Sequence, residues 1–366
     1  MTAPSILVIA GEASADVHAA KVIARLRLLY PSIDVFGIGG PHLRSQGMIV
    51  MADASALSVV GISEALRGLG HFKHIFSSIL EEVDRRKPQA ALLVDLPDFN
   101  LRLAKALKRR AIPVVYYIAP QAWAWRQGRV RTLRRFVDRL CVVFPFEQEF
   151  FAQHQVPVEY VGHPLTEEPP PEGIADPHRV VLLPGSRPRE IDRLLSPLAQ
   201  AARLLQAAAP QLRLYLPVAP GLDPDQIASR MNAEDVTVQL VTGGAGAALA
   251  GARLALTKSG TATVEAALAG VPMVVVYKVS RVSYALLRPF VRVSHACMVN
   301  ILAGRTVVPE LLQSAVRPEL IAQRALPLLR DGPERERVLA DLRAVANSLG
   351  TGKPSQRVAE ILATYL

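Results

Sequence analysis

Short apolar runs alternate with amphipathic stretches along almost the whole chain. The run Ser5-Ile-Leu-Val-Ile-Ala-Gly11 ends at a glycine, and residues 16–30 carry apolar side chains at helical spacing, so a strand, a turn and a helix open the chain. Further strands are expected at 35–40, 90–94, 114–118, 140–144 and 158–161, with helices at 72–86 and 101–110. Strands that alternate with helices predict a mostly parallel, doubly wound sheet. At Glu167-Glu-Pro-Pro-Pro-Glu-Gly173 the pattern stops, because three prolines remove backbone donors and cannot continue a helix or a central strand. It resumes with strands at 180–183, 212–218, 236–241, 254–256 and 273–277 and helices at 191–208, near 225 and at 262–269. The tail, 333–366, reads as helices interrupted at 350–354.

The expected organisation is therefore α/β with two Rossmann-like domains. Residues 1–166 form the amino-terminal domain, 167–177 a proline-rich linker and 178–344 the second domain. Residues 345–366 form a helical tail with the option of packing back on the first domain. A length of 366 residues suits two cores better than one. Two such domains leave a cleft between the carboxyl ends of their sheets, with a donor bound on one side and an acceptor on the other. Glycosyltransferases, sugar-nucleotide epimerases and periplasmic binding proteins share this plan, and the last would need an export leader.

Composition narrows the field. Apolar residues make up 50% of the chain and charged ones 20%, as in a folded globular protein. The longest apolar runs, near 6–10, 90–94 and 271–277, are strand-sized and far short of a bilayer span. No basic leader precedes an apolar core, so export is not expected. Cys141 and Cys297 lie in apolar settings without metal-ligand spacing, so no disulfide framework is expected, and no metal and no cofactor are implied. Cytoplasm is the expected compartment. The net charge of +10 suits a phosphorylated substrate, a polyanion or an anionic membrane surface. Between Arg102 and Arg139 stand eleven Lys/Arg residues against one acid, Asp138. No nucleic-acid motif or aromatic platform accompanies them, so phosphate or lipid head groups are the better match.

Chemistry concentrates at strand ends. In Asp95-Leu-Pro-Asp-Phe-Asn100, carboxylates follow directly on a buried strand and point to the crevice where open α/β sheets bind ligands; Asp98 is a candidate base there, or Asp98 or Asn100 caps the next helix. Gly11-Glu-Ala-Ser-Ala-Asp16 is the corresponding first turn, with Glu12, Ser14 and Asp16 as ligand or capping groups. Leu183-Pro-Gly-Ser-Arg187 sets Gly185, Ser186 and Arg187 at a helix start that favours an anion, unless it is an ordinary turn with surface arginines. Lys258-Ser-Gly-Thr-Ala-Thr-Val-Glu265 repeats the design. Ser259, Gly260 and Thr261 offer donors to a diphosphate, and Glu265 offers a carboxylate to two ribose hydroxyls or simply complements the helix dipole. Trp123 and Trp125 either line a cleft or pack the core, and the apolar stretch from Leu57 through Leu66 to Phe76 and Leu80 is either a lipid-touching surface or a core face.

Together these segments resemble the lipid-A-disaccharide synthase family, inverting glycosyltransferases of the GT-B fold. The likeness runs through Gly11-Glu-Ala-Ser with Asp16, Gly39-Gly-Pro41, Ser58-Val-Val-Gly61, the Asp95–Asn100 segment, Ala122-Trp-Ala-Trp-Arg126 and Pro145-Phe-Glu147. It continues through Gly162-His-Pro-Leu165, Leu183-Pro-Gly-Ser-Arg187, Ser259-Gly-Thr-Ala-Thr263 with Glu265, Pro272-Met-Val274, and Asn300 with Pro309-Glu-Leu-Leu-Gln313. The resemblance implies transfer of 2,3-diacylglucosamine from UDP to the 6-hydroxyl of 2,3-diacylglucosamine 1-phosphate, giving a β-1,6 disaccharide and UDP without a metal. It implies that the second domain holds UDP through Gly185, Ser186, Arg187, Ser259, Gly260, Thr261, Glu265 and Asn300. The first would hold the acceptor, UDP-diacylglucosamine being the donor, through Glu12, Ser14, Asp16, Trp125, Arg126 and Arg129, with Asp98 as the catalytic base. Peripheral contact with the inner face of the cytoplasmic membrane, and compatibility with a homodimer, follow from the same resemblance. Ala15 stands where the family usually has glycine, and Lys258 where alanine is common. Two other functions remain open at this point: a related transferase acting on another lipid, and a non-catalytic UDP-sugar or lipid-binding relative.

Overall fold

The first sheet consists of β1 (Ser5–Ala10), β2 (Asp34–Gly39), β3 (Ile49–Asp53), β4 (Ala90–Val94), β5 (Val114–Tyr117), β6 (Arg139–Val142) and β7 (Val158–Tyr160). All neighbours are parallel, in the order β3-β2-β1-β4-β5-β6-β7. Its helices are α1 (Ala13–Leu29), α2 (Pro41–Ser45), α3 (Ala65–Arg86), α4 (Pro97–Lys108), α5 (Gly128–Phe136) and α6 (Pro145–Gln153). The computed structural model describes residues 3–53, 65–168, 173–280, 282, 284–285, 288–291 and 293–366. Residues 57–64 of the apolar stretch singled out above, and 169–172 of the proline-rich linker, lie outside the described residues. Further along that stretch, Phe72 and Phe76 meet Phe99 edge-on at 5.1 and 5.7 Å, and Ile75, Ile79 and Val83 are buried, so this part is a core face.

The second sheet holds β8 (Arg179–Leu183), β9 (Arg213–Pro217), β10 (Gln239–Val241), β11 (Leu254–Lys258), β12 (Met273–Tyr277) and β13 (Glu310–Leu312). It is also wholly parallel, ordered β10-β9-β8-β11-β12-β13. Around it run α7 (Pro188–Ala208), α8 (Pro224–Asn232), α9 (Gly244–Leu249), α10 (Thr261–Leu268), α11 (Met298–Ala303), α12 (Pro318–Leu329) and α13 (Pro333–Ser348). Every central strand is apolar on both faces because helices cover both, as in β4, buried at all five positions.

By contacts the chain divides into one unit of Met1–Glu167 with Thr351–Leu366 and another of Glu168–Gly350. The return falls beyond the 344/345 boundary expected from the sequence, because α13 runs on to Ser348 and ends before Gly350, which takes φ +74°. The last helix, α14 (Pro354–Ala363), lies on α1 in the first unit. Arg357 pairs with Glu159 at 2.5 Å, the Ser355 hydroxyl meets the Glu167 carboxylate, and Val358 and Leu362 are buried.

Three buried titratable groups give the first unit a distinctive pH response. Burial lowers His18 to about 4, with help from the Lys21 charge, and lowers His163 to about 3, with help from His18. Burial raises Glu147 to about 7 against the pull of its hydrogen bonds from Trp123 and the Phe144 and Val143 amides. Between the ordinary carboxyl value of 4.5 and the ordinary imidazole value of 6.5, the unfolded chain protonates both histidines whereas the folded chain protonates only Glu147. The unfolded state therefore binds one more proton from this trio, and their joint contribution to stability rises by about 1.4 kcal/mol per pH unit across that window. Urea melts at pH 5 and pH 6 should show a shallower rise for His163→Gln and a steeper one for Glu147→Gln; equal slopes in all three proteins would contradict the assignment.

Candidate functional site

Both sheets reverse strand order once, between β1 and β4 and between β8 and β11, and turns leaving such paired strands form a ligand crevice. The segments singled out in the sequence fall at these two places. In the first unit they are the β1–α1 turn and the β4–α4 elbow; in the second, the β8–α7 and β11–α10 turns.

The β4–α4 elbow is strained. Asp95 and Leu96 take φ of +49° and +47°, a left-handed conformation costly for residues with side chains. Asn100, fully buried, holds the elbow by donating from Nδ2 to Asp95 O at 2.7 Å and to Val94 O at 3.2 Å, and Tyr116 Oη donates to Asp95 O at 2.5 Å. Neither Asp98 nor Asn100 caps α4: Leu96 is the cap residue, and no side chain caps it. Freed from that duty, Asp98 stands 76% exposed in the first turn and accepts from Arg129 at 2.6 Å and Arg126 at 3.4 Å. Of the residues with positive φ other than glycine, Lys87, Ala111, Gln155 and Asp235 merely follow helices, whereas Asp95, Leu96, Ile118, Arg126 and Gln313 lie in loops leaving β4, β5 and β13. Strain in the first unit thus gathers around Asp98.

The two tryptophans part company. Trp123 is buried, donates from Nε1 to Glu147 at 2.9 Å and meets Phe146 edge-on at 4.9 Å. Trp125 is half-buried and carries the guanidinium groups of Arg126 and Arg129 over its ring at 4.5 and 5.4 Å. It is a platform that sets both arginines beside Asp98.

At the β1–α1 turn, Glu12 is the cap residue of α1, and exposed Ser14 caps nothing. Asp16 departs from expectation. It is 1% exposed, and its two oxygens accept from the backbone N–H groups of Gly40 (2.7 Å), His42 (2.9 Å) and Leu43 (3.1 Å). Those are the free amides at the start of α2, so Asp16 ties α1 to α2 and is not placed to bind an acceptor. The methyl of Ala15 is likewise harmless, since Ala15 sits inside α1 and its φ is not positive.

In the second unit, Gly185 takes φ +127°, and a Cβ there would collide with the Glu190 side chain. Ser186 and Arg187 are exposed at the start of α7, with Arg187 as its cap residue. Gly260 caps α10, and Thr261 is exposed in its first turn. Glu265 sits half-buried one turn on, and burial raises its pKa; its side chain has no hydrogen bond or ion pair among the described residues. A carboxylate kept from partners in this way is ready to accept from vicinal hydroxyls.

Two expected nucleotide contacts are instead structural. Ser259 donates its hydroxyl to Ala296 O at 2.5 Å and its N–H to Val276 O, leaving no donor for a phosphate. Asn300 is fully buried and its amide is saturated: Nδ2 donates to Val308 O (2.9 Å) and Glu310 Oε1 (2.6 Å), and Oδ1 accepts from Val307 N (2.8 Å) and Val308 N (3.0 Å). Glu310, quoted in the sequence only as part of the Pro309–Gln313 motif and given no role there, anchors the same loop by accepting from Ala296 N and Cys297 N. Glu147 and Gln313 likewise stood in quoted motifs without a role. Gln313 follows β13 at φ +52° and buries an Nε2 without a partner among the described residues.

Two parallel Rossmann-like sheets, each with helix-starting glycine turns or acids at its switch point, define the glycosyltransferase B class of architecture. Solved structures agree on the fold. The glycosyltransferase of kitacinnamycin superposes with a TM-score of 0.69 at 14% identity, covering all of both chains. Acinetobacter baumannii MurG gives 0.62 at 16%, covering 99% of each. Neisseria meningitidis UDP-GlcNAc 2-epimerase, solved with UDP-GlcNAc, gives 0.69 at 14%, covering 98% of this chain and all of that one. Sequence goes further. The family profile described as lipid-A-disaccharide synthetase matches residues 6–361. The lipid-A-disaccharide synthase of Anaeromyxobacter sp. strain K is 46% identical over 97% of this chain and 96% of its own length; that of Myxococcus xanthus is 43% identical over 98% and 96%. The chain belongs to the lipid-A-disaccharide synthase family and is a glycosyltransferase of lipid A biosynthesis. No helix among the described residues is long and apolar enough to cross a membrane.

Proposed function

We propose that the chain joins two acylated glucosamines with Asp98 as the base, the first unit taking the acceptor and the second the UDP moiety of the donor. Asp98 accepts the proton of the acceptor's 6-hydroxyl as that oxygen bonds to the anomeric carbon of UDP-2,3-diacylglucosamine. The bond from that carbon to the diphosphate breaks on the opposite face, the configuration inverts, and UDP leaves with the electron pair. What carries this is the exposed Asp98 carboxylate on a strained elbow, held by Arg129 at 2.6 Å. An acceptor 1-phosphate competes with Asp98 for Arg126 and Arg129, so its binding draws the cations to itself and frees the carboxylate to take a proton. In the second unit, the Ser186 and Thr261 turns with Gly185, Gly260 and Arg187 hold the diphosphate, and Glu265 accepts from the ribose hydroxyls.

Contact with an anionic membrane surface is the matching proposal for acylated substrates. Its support is the net charge of +10 and the exposed Val282 (70%), Phe290 (64%) and Val291 (49%) in a segment that also holds Arg288.

The test is UDP release and product mass from the purified chain given UDP-2,3-diacylglucosamine with and without 2,3-diacylglucosamine 1-phosphate. A disaccharide 1-phosphate formed only with both is expected; UDP-N-acetylglucosamine serving equally well would overturn the substrate assignment. Arg129→Ala should raise the KM for the phosphorylated acceptor about tenfold while barely changing that for the same acceptor lacking phosphate. Equal effects on both would remove Arg129 from phosphate binding.

A further inference from the structure

Lys258 ends β11, directly before the turn into α10. Its Nζ lies 2.9 Å from Oε1 of Glu190, in the first turn of α7, and the other carboxylate oxygen accepts from Ser186 N at 3.1 Å. A Cβ on Gly260, the cap residue of α10, would come within 3.3 Å of the same Nζ. One ammonium therefore stands at the amino ends of both helices that flank the switch point of the second sheet.

Helix amino ends are themselves positive, so a cation between two of them is favourable only with an anion at hand. Glu190 supplies one. Burial alone would raise its pKa, yet Lys258, the Ser186 amide and Arg187 together hold it below the ordinary value. Lys258, Arg187 and two helix ends thus bear on the Glu190 carboxylate. The site has room in its charge balance for a second anion of more than one charge.

Resting on the donor assignment above, we infer that Lys258 is a specificity-determining residue for the donor's diphosphate. Glu190 fixes the ammonium at the mouth of both turns, and a diphosphate bound to the turn amides takes a charge-assisted contact from it. Uridine lacks the diphosphate and offers no anion for that contact, so the contact discriminates UDP from uridine.

Calorimetry with UDP and ligand-observed NMR with uridine on the full chain test this. Lys258→Met should weaken UDP binding about tenfold or more and leave uridine binding unchanged, while Lys258→Arg keeps UDP affinity within about threefold. Unaltered UDP affinity in Lys258→Met overturns the inference, as does an equal loss for UDP and uridine, which marks a merely structural lysine. Should Lys258→Met fail to fold because Glu190 loses its partner, the double variant Glu190→Gln with Lys258→Met removes that lone carboxylate, and the same UDP-to-uridine comparison decides. If the unaltered chain binds no UDP, the donor assignment itself falls, an outcome distinct from any of these.

Discussion

Asp98→Asn lowers turnover by about two to four powers of ten, the usual contribution of a positioned general base, with UDP affinity and fold unchanged. The substitution keeps shape and one acceptor oxygen while removing the group that can hold a proton. Little stability is at stake, because Asp98 is 76% exposed and pairs with Arg129 and Arg126 at the surface. Such pairs contribute about 0–1 kcal/mol. The elbow does not depend on the carboxylate either, since Asn100 and Tyr116 hold it through the carbonyls of Val94 and Asp95. UDP release at saturating donor and acceptor, UDP calorimetry and a melting curve together make the check. A variant that keeps most of its turnover removes Asp98 from the base position, and one that melts far below the parent makes Asp98 a structural residue.

The alternation of apolar strands with amphipathic helices made both doubly wound sheets legible, because central parallel strands are buried on both faces and show as unbroken apolar runs. β3 and β13 escaped for the same reason in reverse. They are edge strands of five and three residues, and Ile49 and Leu312 remain 49% and 37% exposed. The proline run located the first crossing between units, whereas the second lay hidden behind the continuous helical pattern of α13. At the switch points, the sequence showed which turns follow the paired strands but not which polar side chains in them are free. Asp16, Ser259 and Asn300 have the same hydrogen-bonding capacity as a ligand contact, and only folding shows that backbone amides and carbonyls distant in sequence consume it. The roles of Glu190, Glu147 and Glu310 escaped for the complementary reason. Their partners, Lys258, Trp123 and Asn300, come from other segments, so no local spacing signals them.

Asn300→Ala separates those two roles, and the larger effect falls on stability. The truncation leaves Val307 N, Val308 N, Val308 O and the Glu310 carboxylate short of a partner in a buried place. Buried groups stripped in this way cost about 1–3 kcal/mol each before relaxation, so a total of about 3–5 kcal/mol is expected. For a unit of this size that lowers the melting temperature by on the order of 10 °C. Glu310 also holds Ala296 N, and Ala296 O holds the Ser259 hydroxyl, so the damage reaches the β11–α10 turn only through two intermediate contacts. UDP affinity measured well below the melt should therefore fall by less than about tenfold. Scanning calorimetry and UDP titration read the two quantities on one sample. An unmoved transition together with a loss of UDP binding beyond about a hundredfold would instead make Asn300 a direct nucleotide ligand, since only a residue touching the nucleotide loses affinity without losing stability.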